Sequence, residues 1–303
     1  MTQNQIRFRP RADSVATVAA LAALAALSSP AAGEPMLHAP SLYRASDMSR
    51  FVDNYVELGI GYNSKDSYKF GEWNGLREKG AYPIFGFNWL SRARDNGANY
   101  WELRGSGLGL ETRKFGLEGG SQGRWRLNAS ADRLVRSELD SARFVHTVGL
   151  GTNNLSGISP PTTVPYKIEQ GRDFYRLGFS ATLSDNWNAS VNYREDRRDG
   201  TRVMGAPFEG GLGRPLNVPY QIDDHTQQVD AQLSYADELS QLQFAYHFSR
   251  YENDAGALEL ENDSATVVGR VSLMPSNDYH QLSLTGAYRV TASTRVAAKL
   301  SYG

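Results

Sequence analysis

The chain has 303 residues, enough for one large β domain or two ordinary ones, and its formal net charge of -1 gives nucleic acid no electrostatic reason to bind. It contains no cysteine, which excludes disulfides, thiolate metal sites, iron-sulfur ligation and the Cys-x-x-Cys-His attachment of c-type haem. Sixteen tyrosines, twelve phenylalanines, five tryptophans and 29 glycines at a mean hydropathy of -0.48 describe a β-rich chain, polar on average yet dense in aromatics.

The first segment reads as a secretory signal. Arg7, Arg9 and Arg11 form a basic region, residues 15–27 an apolar stretch of signal length, and residues 29–33 a small-residue cleavage zone, so that residues 1–33 are expected to leave on export. Residues 34–50 have no clear period and read as a periplasmic lead-in, and residues 51–303 read as one β domain. No run of 18 or more apolar residues follows the signal, so a spanning helix is excluded.

From Phe51 onward the period is two. Val56, Leu58, Ile60 and Tyr62 share one face, and Glu57, Gly59, Gly61 and Asn63 the other. Phe85, Phe87 and Trp89 repeat the pattern. Residues 101–119 read as one long strand with a glycine-rich kink at 105–109, and Trp125, Leu127 and Ala129 then oppose Arg124, Arg126 and Asn128. The alternation continues through Leu177 and Phe179, Val191 and Tyr193, Leu233 and Tyr235, Phe244 and Tyr246, Leu282 and Leu284, and Val296 to Tyr302. Tight links are expected near 94–98, 184–186, 236–240 and 275–278, and longer polar ones at 64–79, 151–171, 199–221 and 253–263.

Alternating short and long connections are what a transmembrane β-barrel requires, with turns on the periplasmic side and loops outside. About twelve antiparallel strands are expected on that pattern. A soluble β-sandwich also has one apolar face. Segments of membrane-spanning length, aromatics toward strand ends (Tyr62, Trp89, Tyr193, Tyr235, Tyr288) and an export signal favour an all-β, antiparallel outer-membrane barrel.

No catalytic constellation is present. His38, His146, His225, His247 and His280 lie far apart without metal-ligand spacing, and residues 105–109 lack the order and following helix of a phosphate loop. The polar face instead offers a lining: Glu102, Arg104, Arg124, Arg126, Arg194 and Asp230, with Glu57, Arg270, Arg295 and Lys299, read as lumen-facing.

The most specific words are concentrated in residues 68–125: Phe70-Gly71, Asn74-Gly75-Leu76, Gly80, Tyr100-Trp101, Leu108-Gly109-Leu110, Arg113 and Gln122-Gly123. In that order they resemble the MtrB/PioB family of decahaem-associated outer-membrane β-barrels. The resemblance implies a structural role for Phe70, Gly71, Asn74, Gly75, Leu76, Gly80, Trp101, Leu108, Gly109, Leu110, Arg113 and Gly123. It also implies a barrel that sheathes a periplasmic multihaem c-type cytochrome so that electrons cross the outer membrane, with outer-membrane lipid around it. Haem is then expected only in the partner, no cofactor in this chain, and the chain is no enzyme. Some family members carry an N-terminal Cys-x-x-Cys that this sequence lacks, a departure from the metal-reducing branch that leaves an iron-oxidising or other branch open. Twelve strands are too few to enclose a cytochrome, so the chain is expected to be the N-terminal part of a larger barrel. A transport porin is the alternative, and an outer-membrane hydrolase a distant third.

Overall fold

The structure is a computed structural model, described here for residues 4–8, 54–93, 97–144, 146–148, 154–157, 164–206, 216–260 and 269–303. The apolar and cleavage regions expected of the signal, and the lead-in 34–50, lie outside the described residues. Of the expected signal only Asn4–Phe8 is described. It forms β1, paired antiparallel with β2 (Tyr55–Asn63) from Asn4 opposite Ile60 to Phe8 opposite Val56. A cut after Gly33 would remove β1 and leave β2 at the sheet edge.

The main sheet has twelve strands in the order β1-β2-β3-β4-β5-β6-β9-β10-β11-β12-β15-β16, each neighbour antiparallel. After β2 come a one-turn helix α1 (Tyr68–Gly71), β3 (Gly80–Arg92), β4 (Asn99–Leu108), β5 (Arg113–Ser121) and β6 (Trp125–Phe144). Then follow β9 (Val164–Thr182), β10 (Trp187–Ala206), β11 (Leu216–Ala236), β12 (Ser240–Asn253), β15 (Asn277–Thr291) and β16 (Thr294–Tyr302). A second sheet, in the order β14-β13-β8-β7, is built from two of the long connections: β7 (His146–Val148) and β8 (Asn154–Gly157) from one, β13 (Ala257–Leu260) and β14 (Gly269–Ser272) from the other.

Strand register sorts the side chains into two continuous faces, because directly opposed residues in an antiparallel pair project to the same side. Leu127 opposes Phe179, Phe179 opposes Val191, Val191 opposes Ala231, and the row continues through Tyr246 to Leu282 and Tyr302. One residue along, Asn128, Gly178, Asn192, Asp230, His247 and Gln281 form the polar row. Among the described residues the apolar face has no second layer. Leu177, Phe179, Val191, Leu233, Phe244 and Leu284 are each 36–50% exposed, where a sandwich would bury them. From Tyr175 to Leu183, one residue past the end of β9, the apolar stretch runs roughly 26 Å at about 3.3 Å per residue, or about 20 Å of depth at a tilt of about 40°, comparable to the ~25 Å apolar band of outer-membrane barrels.

Aromatic rings mark the end of the sheet that carries the short turns. Trp101 meets Trp125 edge-on at 6.0 Å between centroids, and Trp187 lies 5.0 Å from Tyr235. Amphipathic rings at one level are the girdle of a membrane interface. Beyond the opposite end of the apolar band the strands run on: the apolar row of β10 changes from Val191 and Tyr193 to Glu195, Arg197 and Asp199 while still paired with β9 and β11. Residues 199–206 and 216–221, expected as loop, are therefore strand, because a cross-strand partner outside the membrane satisfies the backbone as well as water does.

Two expectations are corrected. Residues 101–119 are not one kinked strand but two, β4 and β5, paired from Asn99 opposite Ser121 to Ser106 opposite Lys114. The chain reverses between them because Gly107 and Gly109 adopt φ of 64° and 97°, a left-handed region open to glycine, and the Leu110 amide closes the turn on the Gly107 carbonyl at 2.9 Å. Separate strands preserve the alternation of turns and loops that a single strand was invoked to protect. Residues 275–278 are likewise not a short-end turn: Pro275 enters β15 from the long-loop end, and the last short turn is at Ala292 and Ser293.

A charge placed on the apolar face must enter lipid, whereas its neighbour one residue on faces water. Phe179→Arg should therefore destabilise the protein in phospholipid vesicles by about 2–4 kcal/mol, and Ser180→Arg by less than about 1 kcal/mol. Urea unfolding followed by tryptophan fluorescence measures the difference, and equal effects would contradict a lipid-facing assignment.

Candidate functional site

The motif residues come together at the long-loop end as one docked segment. After β2 the chain turns back over the polar face through residues 64–79. Leu76 packs with Ile84 and Leu110 in a small core bordered by Tyr82, and all three aliphatic residues are at most 4% exposed. The segment is tied to the strands beneath it. Asn63 donates from its side-chain amide to the Leu76 and Glu78 carbonyls, and the Tyr82 hydroxyl donates to the Glu78 carbonyl at 2.7 Å. Gly75 has a φ of 76°, which lets the chain reverse between the Asn74 side chain, holding the Leu76 amide at 2.8 Å, and Leu76 itself. Gly71 is needed for a different reason, since an added Cβ would stand 2.5 Å from the Arg77 backbone.

The same segment closes an open edge. β5 pairs with β6 only as far as Arg113 opposite Arg133, whereas β6 continues to Phe144. Past that point the Val135 amide is taken by the Thr112 hydroxyl at 3.3 Å and the Ser137 amide by the Glu72 carbonyl at 2.8 Å. An edge strand left with free donors invites pairing with other chains, and this docking removes the invitation. Arg77 fastens it: the guanidinium donates to the Ser137 hydroxyl at 2.6 Å and lies 3.1 Å from Glu111 and 3.2 Å from Glu169. Arg136 adds a 5.0 Å cation-π contact to the Trp73 ring.

Of the remaining motif residues, Phe70 sits exposed in α1, Gly80 opens β3 and Arg113 opens β5, where register sets it opposite Arg133. Trp101 and Gly123 lie at the other end of the β4–β5 hairpin. Trp101 opposes Gly119, whose missing side chain leaves room for the indole, and Gly123 is in the turn into β6. The motif thus marks two structural knots, one at each end of one hairpin.

The predicted lining is placed as follows. Glu102, Arg104, Arg126, Arg194 and Asp230 all stand on the polar face, while Arg124 is in the short turn and Arg270 on β14 of the second sheet, neither of them on the wall. Glu118 receives Arg126 at 2.7 Å and the Tyr100 hydroxyl at 3.0 Å. Across β6, β9, β10 and β11 runs a ladder in which Arg176 meets Asp132, Arg172 meets Asp196, and Arg198 meets Asp224, each at 2.8 Å. Tyr251 adds a hydroxyl to Asp224 at 3.3 Å. Among the described residues no group of three or more His, Asp or Glu side chains could hold a metal ion. The polar side chains of this face engage one another in ion pairs and hydrogen bonds.

Sequence reasoning did not find Arg77, Ser137, Glu111, Glu169 or Trp73. Arg77 adjoins the motif, but its partners lie 34 to 60 residues or more away, with no local pattern to announce them.

A wall of membrane-length antiparallel strands, with one bare apolar face, an aromatic girdle and a polar opposite face, defines an outer-membrane β-barrel protein. The chain matches the family described as "Putative outer membrane beta-barrel porin, MtrB/PioB" over residues 62–303, and it belongs to that family. Its place is the bacterial outer membrane. The "Outer membrane protein MtrB" of Shewanella baltica (strain OS185) is 20% identical to it over 272 residues, covering 81% of this chain and 37% of that relative. The chain therefore spans well under half the length of that relative. Among solved structures it is similar to OmpT of Vibrio cholerae, with 16% identity and a TM-score of 0.34 over 83% of this chain and 69% of that one. It is also similar to the toluene transporter TodX of Pseudomonas putida, with 12% identity and a TM-score of 0.29 over 82% and 67%. The twelve-stranded sheet is an open wall among the described residues, with β1 and β16 at its two edges.

Replacing Arg77 by Met should leave a hydroxyl and two carboxylates without their cation, loosening the docked segment at a cost of about 1–3 kcal/mol. Trypsin cleavage at Lys69 or Lys79 should accelerate while the far hairpins stay protected. A pH dependence follows from Glu72, whose carboxyl is held below the ordinary glutamate value by the hydrogen bond from Lys69, with partial burial opposing and Arg136 assisting. A carboxyl with a depressed folded pKa stabilises the fold above its unfolded value and loses that contribution as pH falls through the folded one. The Trp73 indole resonance should accordingly shift on acidification below pH 4.5, and stay flat in Glu72→Gln.

Proposed function

We propose that this chain forms part of the wall of an outer-membrane sheath that holds a periplasmic multihaem c-type cytochrome for electron transfer across the membrane. The carrying observation is the polar face, which runs from β2 to β16 opposite a lipid-compatible face and bears a ladder of ion pairs. Family membership supports it, since the family is one of porin-like barrels and not of enzymes. On this proposal the redox chemistry belongs to the partner's haems. The chain's lack of cysteine removes covalent c-type attachment, and its residues insulate, orient and exclude lipid.

The test is affinity purification of the full protein from outer membranes, followed by haem staining. A haem-positive partner in stoichiometric amount is the expected result, and its absence under gentle solubilisation would overturn the proposal. The porin reading keeps support from the family's description. Reconstituted protein that conducts ions across a planar bilayer and retains no haem protein would favour it.

A further inference from the structure

The polar face is not electrically balanced, although the whole chain nearly is. Six of its carboxylates between β4 and β12 are engaged by a cation or a histidine: Glu102 by Arg104, Glu118 by Arg126, Asp132 by Arg176, Asp196 by Arg172, Asp224 by Arg198 and Asp230 by His247. Glu138 on β6 is likewise held by Arg136, and Glu57, on β2, is buried. The cations are not exhausted by these pairs. Among the described residues, Arg194 donates to the Gln228 amide oxygen alone and Arg295 to that of Gln241 alone, while Lys114, Arg289 and Lys299 have no carboxylate at ion-pair distance. All five are exposed.

Register adds a second observation. Arg176 stands directly opposite Arg194, and Arg289 directly opposite Arg295. Like charges facing each other across a ladder destabilise a sheet, and Asp132 relieves only the Arg176 side of the first pair. The second pair has no acid beside it among the described residues. The opposite face has one such pair too, Arg113 opposite Arg133, but there two carboxylates, Asp173 and Asp199, flank Arg133, and Glu195 meets Arg197.

We infer that the polar face is a cationic docking surface for an acidic protein, whose carboxylates complete the pairs left open at Arg194, Arg289, Arg295 and Lys299. Identifying that protein with the sheathed cytochrome rests on the function proposed above; the charge of the face does not. Such a surface accelerates encounter and sets orientation, and its attraction weakens as salt screens it.

The experiment uses the full protein in detergent micelles and fluorescent poly-L-glutamate as the acidic probe, with poly-L-lysine as its opposite. Poly-L-glutamate should bind and poly-L-lysine should not, and binding should fall by about tenfold or more between roughly 0.05 and 0.5 M salt. The combined Arg194→Glu, Arg295→Glu and Lys299→Glu variant should lose it, and the corresponding glutamine variant should fall between, with retained heat-modifiable migration showing that each is folded. Equal binding of both polymers, or binding unchanged by charge reversal in a folded variant, would overturn the inference. So would anion-selective conduction without poly-L-glutamate binding, which would assign the excess charge to small ions. Copurification of a haem protein that ignores both salt and charge reversal sinks this inference and leaves the sheath standing; poly-L-glutamate binding without any haem protein does the reverse.

Discussion

The two-faced wall of this protein follows from one requirement: in hydrocarbon a backbone amide or carbonyl must find its partner within the protein. The chain meets it by pairing strand with strand, and the pleat then divides its side chains between lipid and water with a period of two. Phe179 and Ser180 are neighbours in sequence, yet one opposes Leu127 and Val191 in the apolar row and the other opposes Arg126 and Ser190 in the polar one. A slip of one residue in any pair would exchange the two rows, so the membrane itself enforces the register.

That requirement lapses outside the apolar band, and the structure changes character there. At the short-turn end the links are tight, and Asp237 accepts from the Leu239 and Ser240 amides at 2.8 and 2.6 Å to close one of them. At the other end strands of unequal length leave edges in water. β6 outruns β5, and the segment carrying Glu72, Leu76 and Arg77 folds down to occupy the gap. Two further connections pair with each other, β8 running parallel to β13, while β7 lies against β11. Ile168 and Val218 are buried at this end on strands whose mid-section lining is polar. The loops are therefore packed structure, not fringe.

What was legible in the sequence was whatever repeats every second residue. The faces of β2, β3, β6, β9 to β12, β15 and β16 could be read directly, since Val191 beside Asn192, or Leu233 beside Ser234, admits one arrangement on a pleat. The turn between β4 and β5 could not be read so easily. Gly105 to Gly109 suits a kink and a reversal equally well by composition, and only the left-handed φ of Gly107 and Gly109 distinguishes them. The docking clamp was illegible for another reason: Ser137 and Glu169 are unremarkable residues until the fold brings them within 3.2 Å of the Arg77 guanidinium. The motif words identified the two ends of the hairpin without revealing what the first of them holds down.

The polar face unites these levels. Its arginines alternate with aspartates along the diagonal, so most of its charge is spent on bracing neighbouring strands, a role that hydrophobic contacts cannot fill on a surface facing water. Bracing needs equal numbers of both signs, and a face built only for solvation has no use for arginine opposite arginine. Arg289 and Arg295, with only the Gln241 amide oxygen as a recorded side-chain acceptor, raise the energy of the empty wall and lower that of a wall against which carboxylates have settled. The same cross-strand geometry that makes the sheet stable in lipid thereby selects, by charge, what may lie along its other side.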